Sequence, residues 1–168
     1  MSSLFEQNVL PVSHRMYRYA LSILKDADSA HDVVQECLVK IWDKRKVLSE
    51  VDNTEAWAMR ITRNQCFDWV KTNRFTILND DHDQEPDSGK ADHGLLLEDQ
   101  QRWLDRVMEA LPQKQQEVFH LREIEGMTYQ EIAEILSMSL SDVKVNLHRA
   151  RTKVRTSLQK IDAYGIAN

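Results

Sequence analysis

At 168 residues the chain has room for one domain or two small ones, and with 42% hydrophobic residues it buries a core of moderate size. Four glycines, three prolines and few alternating β-branched runs exclude a β-rich fold and favour an all-α one. The net charge of -5 excludes a uniformly basic binder of nucleic acid, but residues 1–75 carry 11 basic and 10 acidic side chains, residues 76–100 carry 1 and 8, and residues 101–168 carry 10 and 9.

The first lobe, residues 1–75, reads as three helices. Residues 12–25 follow Pro11 and place Val12, Met16, Tyr19, Ala20 and Ile23 on one side. Residues 29–46 follow the turn Asp26-Ala27-Asp28, with Val34, Cys37, Leu38, Ile41 and Trp42 at three- and four-residue spacing. The face bearing Asp32, Gln35, Glu36, Lys40 and Asp43 is a solvated surface or a protein-docking one. Residues 54–74 form the third helix, with Thr54 as the expected N-cap. At about 100° per residue, Arg60, Arg63, Phe67, Lys71 and Arg74 share a stripe, with Asn64 beside it. Ala58, Ile61, Thr62, Cys66 and Trp69 lie opposite and are expected in the core. A basic stripe with an embedded aromatic suits single-stranded nucleic acid, where bases stack and cations track phosphates. A helix packed within its lobe, with solvated arginines, has the same pattern.

Residues 76–100 break the periodicity. The run Asp80-Asp81-His82-Asp83-Gln84-Glu85-Pro86-Asp87-Ser88-Gly89 reads as a flexible acidic linker. It does not read as a calcium loop, because Pro86 stands where glycine is needed and the closing glutamate is absent.

The second lobe, residues 101–168, reads as four helices, the first reaching back to residue 99. Residues 99–110 are expected to bury Trp103 and Val107, with Leu111 just beyond. Residues 113–124 are expected to bury Val118, Leu121 and Ile124 and to end at Gly126 as a C-terminal cap. Thr128 and Glu131 form a capping box for residues 129–136. After Ser137-Met138-Ser139 a last helix runs from 140 to about 159. Two helices joined by so short a turn cross steeply, and Ala133, flanked by Ile132 and Leu136, is small enough for close approach. The last helix is expected to bury Val143, Leu147, Ala150, Val154 and Leu158. This is the pattern of a helix-turn-helix DNA-binding domain.

Residues 143–160 hold six Lys/Arg and no acid. Pairing with a helix dipole is worth about 0.3–1 kcal/mol per cation and acts only in the last turn, so it does not account for Lys144 or Arg149. DNA phosphates do. The N-terminal half of the second helix enters the major groove, placing Ser141, Lys144, Val145, His148 and Arg149 at base edges, with Arg151 further along the strip. Lys144 and Arg149 donate to guanine acceptors, and Val145 meets a thymine methyl. Arg122, one helix earlier, is expected at a phosphate. Because both lobes are nearly neutral, the free chain is expected to bind bare DNA weakly.

No run of about 18 apolar residues is present, and the N-terminus lacks the basic and apolar parts of a signal peptide, so a cytoplasmic location is expected. Cys37 and Cys66 read as buried thiols rather than a disulfide. Six scattered histidines give no metal-ligand spacing. With no phosphate loop and no nucleophile–base pair, neither an enzyme, a cofactor nor a small-molecule substrate is expected.

Taken together, the motifs resemble the extracytoplasmic-function sigma factors, the two-domain class of bacterial transcription initiation factors, over nearly the whole chain. Asp32-Val33-Val34-Gln35-Glu36 with Ile41-Trp42 is similar to the family's core-polymerase-binding helix. Ala56-Trp57-Ala58-Met59-Arg60-Ile61-Thr62-Arg63-Asn64 is similar to its promoter-melting helix. Leu111-Pro112, Leu121-Arg122-Glu123, the segment 126–133, and Val143-Lys144 through Arg151 resemble its promoter-reading domain. The turn Ser139-Leu140-Ser141-Asp142 departs from the family's frequent Pro-x-Gly-Thr, and Asn146 stands where a basic residue is common.

The resemblance implies that the first lobe docks on core RNA polymerase through Asp32, Gln35, Glu36 and Lys40. It also implies capture of an unpaired base of the -10 element by the loop ending at Asn53 and by Arg60, Arg63, Asn64, Phe67, Lys71 and Arg74. The second lobe would read the -35 element through Arg122, Ser141, Lys144, Val145, His148, Arg149 and Arg151. An anti-sigma factor, often membrane-bound, is the implied further partner. The acidic linker is expected to thread a basic polymerase channel. The competing readings are a stand-alone helix-turn-helix regulator that binds duplex DNA without polymerase, and a family member that only sequesters a partner.

Overall fold

The computed structural model describes residues 2–79 and 95–163; most of the expected linker, including the whole acidic run 80–89, lies outside the described residues. The described residues form eight α-helices, joined by short 3-10 and π segments, and contain no strand. They fall into two compact units, Met1–His82 with Gln130–Met138, and Asp83–Tyr129 with Ser139–Asn168. No helix among them is long and apolar enough to cross a membrane.

The first unit opens with a helix not expected from the sequence, α1 (Leu4–Asn8), closed at its start by a capping box in which Ser3 and Glu6 satisfy each other's backbone amides. A 3-10 turn, Leu10–Val12, leads into α2 (Ser13–Leu24). Lys25, in the left-handed region at φ 58°, ends α2. Asp26 then caps α3 (Ala27–Asp43), accepting from both the amide and the hydroxyl of Ser29. The same two bonds hold the Asp26 carboxyl below the ordinary carboxylate range. The helix therefore starts two residues before the expected position, because Asp26 belongs to the cap and not to a separate turn.

A 3-10 segment, Arg45–Glu50, precedes α4 (Thr54–Asn79). Asn53, not Thr54, caps this helix, its Oδ1 accepting from the Ala56 amide at 2.9 Å. Thr54 is already helical. No Gly or Pro interrupts the residues after Arg74, and α4 continues to Asn79, into the expected linker.

α2, α3 and α4 pack on one another. Met16, Tyr19, Ala30, Val33, Cys37, Ile41, Ala58, Met59, Thr62 and Cys66 are all fully buried. Ala30, Val33 and Met59 join the core beyond the expected set. Ile61 and Trp69 are only half-buried, and Trp42 is 43% exposed, its ring edge against Phe5 and one face beneath Arg45. Thr62 satisfies its hydroxyl by donating to the Ala58 carbonyl. Burial pushes the Cys37 thiol up to about 11, against a smaller opposite effect of a hydrogen bond with Thr62.

In the second unit α5 (Leu95–Glu109) begins four residues before the expected position, and α6 (Gln113–Phe119) is followed by a π turn, His120–Ile124, instead of continuing as α-helix. Val118 and Leu121 are buried as expected. Ile124 is 48% exposed, because the π turn shifts the register by one residue and carries it off the buried seam. The buried residue is instead Glu125, whose carboxylate lies 3.3 Å from His120 Nε2.

Gly126, at φ 67°, then reverses the chain. Met127 N donates to Leu121 O and Gly126 N to Arg122 O, closing the helix end with bonds each one residue wider than those of a Schellman motif, as the preceding π turn requires. Helix α8 (Leu140–Ala163) packs on α6 and α5. It buries Val143, Leu147 and Ala150 as expected. Val154 is half-buried and Leu158 is 47% exposed, so the seam ends about two turns sooner than its periodicity implied.

Candidate nucleic-acid interfaces

Helix α4 carries the first cationic face. With Ala58, Thr62 and Cys66 buried, the helical period turns Arg60, Asn64, Lys71 and Arg74 to solvent, and all four are exposed. Arg63 and Phe67, one turn apart, are half-buried, and the Arg63 guanidinium carbon lies 4.7 Å from the Phe67 ring centroid. Such stacking fixes both groups and leaves a planar surface that is both cationic and apolar, the chemistry that suits a stacked base. Asn53, expected nearby, is half-buried and its carboxamide oxygen serves as the cap of α4.

On α3 the four residues expected to meet a protein partner, Asp32, Gln35, Glu36 and Lys40, are all exposed. Two of them are held. Gln65 of α4 donates to Glu36 Oε2 at 2.7 Å and accepts from Lys40 Nζ. One carboxamide thus bridges an acid and a base four residues apart, using both its donor and its acceptor. Sequence reasoning missed Gln65, because a partner 25 residues from one contact and 29 from the other leaves no local signal. Arg15 of α2 pairs with Glu55 in the first turn of α4 and ties those two helices as well.

The second cationic face is on α8. The turn before it is closed locally: Met138 N donates to Ala133 O, Ser137 takes φ 51°, and Ser139 caps α8 by accepting from the Asp142 amide at 3.1 Å. Asp142, in the first turn, lies where the helix dipole favours an acid. Asn146 donates back to the Asp142 carbonyl. Ser141, Lys144, Val145, His148 and Arg149 are exposed, so the five residues expected at base edges all reach solvent.

Two arginines of the expected set are engaged by the protein. Arg122 donates to the Met127 carbonyl at 2.7 Å and lies 4.8 Å over the Tyr129 ring. Arg151 donates through Nε to Glu123. Glu123, and to a lesser degree the Tyr129 oxygen, hold the Arg151 guanidinium above the ordinary arginine range. The Gly126 signal shows that the chain reverses here, but not that Arg122 closes the reversal. The described residues contain no group of three His, Cys, Asp or Glu able to hold a metal ion.

Comparison with known proteins finds relatives along nearly the whole chain. The sigma-70 region 2 family matches residues 6–76, and the sigma-70 region 4 family matches residues 101–154. RfaY of Xanthomonas campestris pv. campestris, described as a probable RNA polymerase sigma factor, is 29% identical over 86% of this chain, which spans 38% of that protein's length. The ECF RNA polymerase sigma factor SigL of Mycobacterium tuberculosis is 30% identical, covering 87% of this chain and 84% of SigL. Among solved structures, the co-crystal structure of the sigma factor RpoE with the anti-sigma factor NepR from Bartonella quintana contains a chain that superposes with a TM-score of 0.76. That match has 25% identity and covers 92% of this chain and 96% of the other.

Proposed function

The chain belongs to the extracytoplasmic-function group of sigma-70 RNA polymerase sigma factors, and from this we propose how its helical faces divide the work of promoter recognition. It is an alternative sigma factor and directs transcription initiation. Its partners are core RNA polymerase, promoter DNA and an anti-sigma factor. The division of labour follows the proposed boundaries: residues 1–75 for polymerase and the -10 element, 76–100 as linker, and 101–168 for the -35 element.

The carrying observation is that one chain presents two cationic helix faces of different chemistry. On α4 an aromatic ring lies stacked among the cations. An aromatic is of little use against a paired duplex, whose bases already stack on one another, and of much use once a base is unpaired. Arg60, Arg63, Asn64, Phe67, Lys71 and Arg74 therefore hold the melted -10 strand, and Asn53 shapes the loop beside it. On α8 the exposed set has the polar imidazole of His148 in place of an apolar phenyl ring and offers donors and a methyl-bearing side chain, the groups that read base edges of intact duplex. Ser141, Lys144, Val145, His148 and Arg149 read the -35 element, with Arg122 and Arg151 at the margin of that face. Asp32, Gln35, Glu36 and Lys40 meet core polymerase. The protein acts in the cytoplasm, where that polymerase is, and makes and breaks no covalent bond.

The experiment is transcription in vitro with core polymerase on a promoter library, alongside DNA binding with and without polymerase. Initiation confined to a subset of promoters, with weak binding by the free chain, is the expected result. Tight binding of duplex promoter by the chain alone, with no polymerase-dependent initiation, would instead establish the stand-alone regulator.

A further inference from the structure

The segment leading out of α6 carries side chains that hold one another. Arg122 caps the reversal through the Met127 carbonyl and stacks on Tyr129. Its neighbour Glu123 reaches across 28 residues to Arg151 Nε on α8, and the Tyr129 oxygen is a second partner of the same guanidinium. Two arginines, one carboxylate and one phenol thereby join the π turn, the first residue of α7 (Tyr129–Leu136) and the middle of α8 in a closed circuit.

An exposed ion pair alone contributes little to stability. A circuit with fixed donors and a stacked ring does something else: it resists rotation of the helix that carries one of its members. Arg151 follows directly on the buried Ala150 and lies one turn beyond His148 and Leu147. It bonds Glu123 through Nε, the nitrogen nearest the helix, where the side chain has least freedom to compensate for a twist. Base-edge recognition tolerates displacements of only about half an ångström, so the roll of α8 decides whether Lys144 and His148 meet bases or miss them.

We propose that Glu123 and Arg151 are a positioning pair, which sets the roll of α8 for reading the upstream promoter element, and that Arg151 acts through Glu123 and not through DNA. Tyr129 and Arg122 brace the pair from the turn. The inference rests on the reading of α8 as the -35 helix.

The test uses the full chain assembled with core polymerase. It compares open-complex formation on a library-selected promoter with that on the same promoter carrying a scrambled upstream element; the ratio is the readout. Glu123→Arg and Arg151→Glu, each placing like charges together, are expected to lower the ratio about ten-fold. The double exchange, which restores the pair in reverse, is expected to return it to within about two-fold of wild type.

Direct contact of Arg151 with DNA overturns the proposal, and it has a distinct signature. The double exchange then stays as poor as Arg151→Glu, because a carboxylate faces phosphate. Arg151→Ala would also flatten the dependence of log affinity on log salt by about one. A merely stabilising pair overturns it too, since loss of folded protein lowers open complexes on both promoters equally and leaves the ratio unchanged.

Where the reversed variants do not fold, Glu123→Gln and Arg151→Lys take their place, each expected to lower the ratio about two- to three-fold with no further loss when combined. Additive losses would refute the pairing. If wild-type holoenzyme initiates on no promoter of the library, the sigma-factor reading itself fails and the proposal with it, an outcome distinguishable from all the others.

Discussion

Helices α4 and α8 are built alike, at 26 and 24 residues, each with one buried seam and one cationic face, but they hold their cations differently. The α4 stripe stacks an arginine on a ring, and its remaining cations stand exposed. The α8 strip has no phenyl ring, only the polar imidazole of His148, and one of its arginines is tied by an acid from the turn after α6. The comparison teaches that charge count is a poor guide to nucleic-acid contact. What each cation leans on, a ring or a carboxylate, decides whether it is presented to a ligand or used to align its helix.

The largest expected effects come from removing the seams that orient the two faces. Met59→Ala on α4 and Leu147→Ala on α8 each empty a fully buried position and are expected to cost about 2–5 kcal/mol of stability, measured by urea unfolding. A loss under about 1 kcal/mol at either site would mean that its face is not rigidly seated.

The next distinction is chemical. Both cysteines lie in the first unit, and Cys37 is raised to about 11. The folded state disfavours the thiolate while the unfolded chain titrates in the ordinary range near 8.5. Stability from this group is therefore complete below pH 8.5 and falls by roughly 1.4 kcal/mol per unit as pH rises toward 11. Cys37→Ala should remove that alkaline slope. A slope that persists in the variant would assign it to other groups.

The two faces themselves should separate under single substitutions. Phe67→Ala removes the ring and is expected to lower open-complex formation by about 1–3 kcal/mol on duplex promoter, leaving dependence on the upstream element unchanged. Arg149→Ala is expected to do the reverse, relaxing selection at one upstream position by about 1–3 kcal/mol without affecting a pre-melted template. If the two variants behave alike on both templates, the division of labour is wrong.

The smallest effect concerns the bridge between α3 and α4. Gln65→Ala releases Glu36 and Lys40, which stand in solvent, so binding to core polymerase should weaken by no more than about 1 kcal/mol in a titration of labelled chain with core. A ten-fold or greater loss would make Gln65 itself part of the docking surface.

Much of this molecule was legible in its residues. Spacing of three and four placed Met16, Cys37, Thr62, Leu147 and Ala150 in the core, because a helical period sorts side chains by face whatever the partner. The same rule brought the α4 stripe and the exposed face of α8 to the surface. Periodicity failed where a register shift intervened: one extra residue in the π turn moved Ile124 outward and Glu125 inward. It also failed where a seam ran out of neighbours, at Leu158.

By itself, then, the sequence determined the all-helical class, the helix faces and the family, since each follows from local spacing or from motifs in a fixed order. Only the tertiary structure decided which polar groups meet. Gln65 finds Glu36 and Lys40, and Arg151 finds Glu123, because packing brings together side chains 25 to 29 residues apart along the chain. A hydrogen bond needs its partners within about 3 Å, and spacing along a chain does not set that distance until the helices have docked.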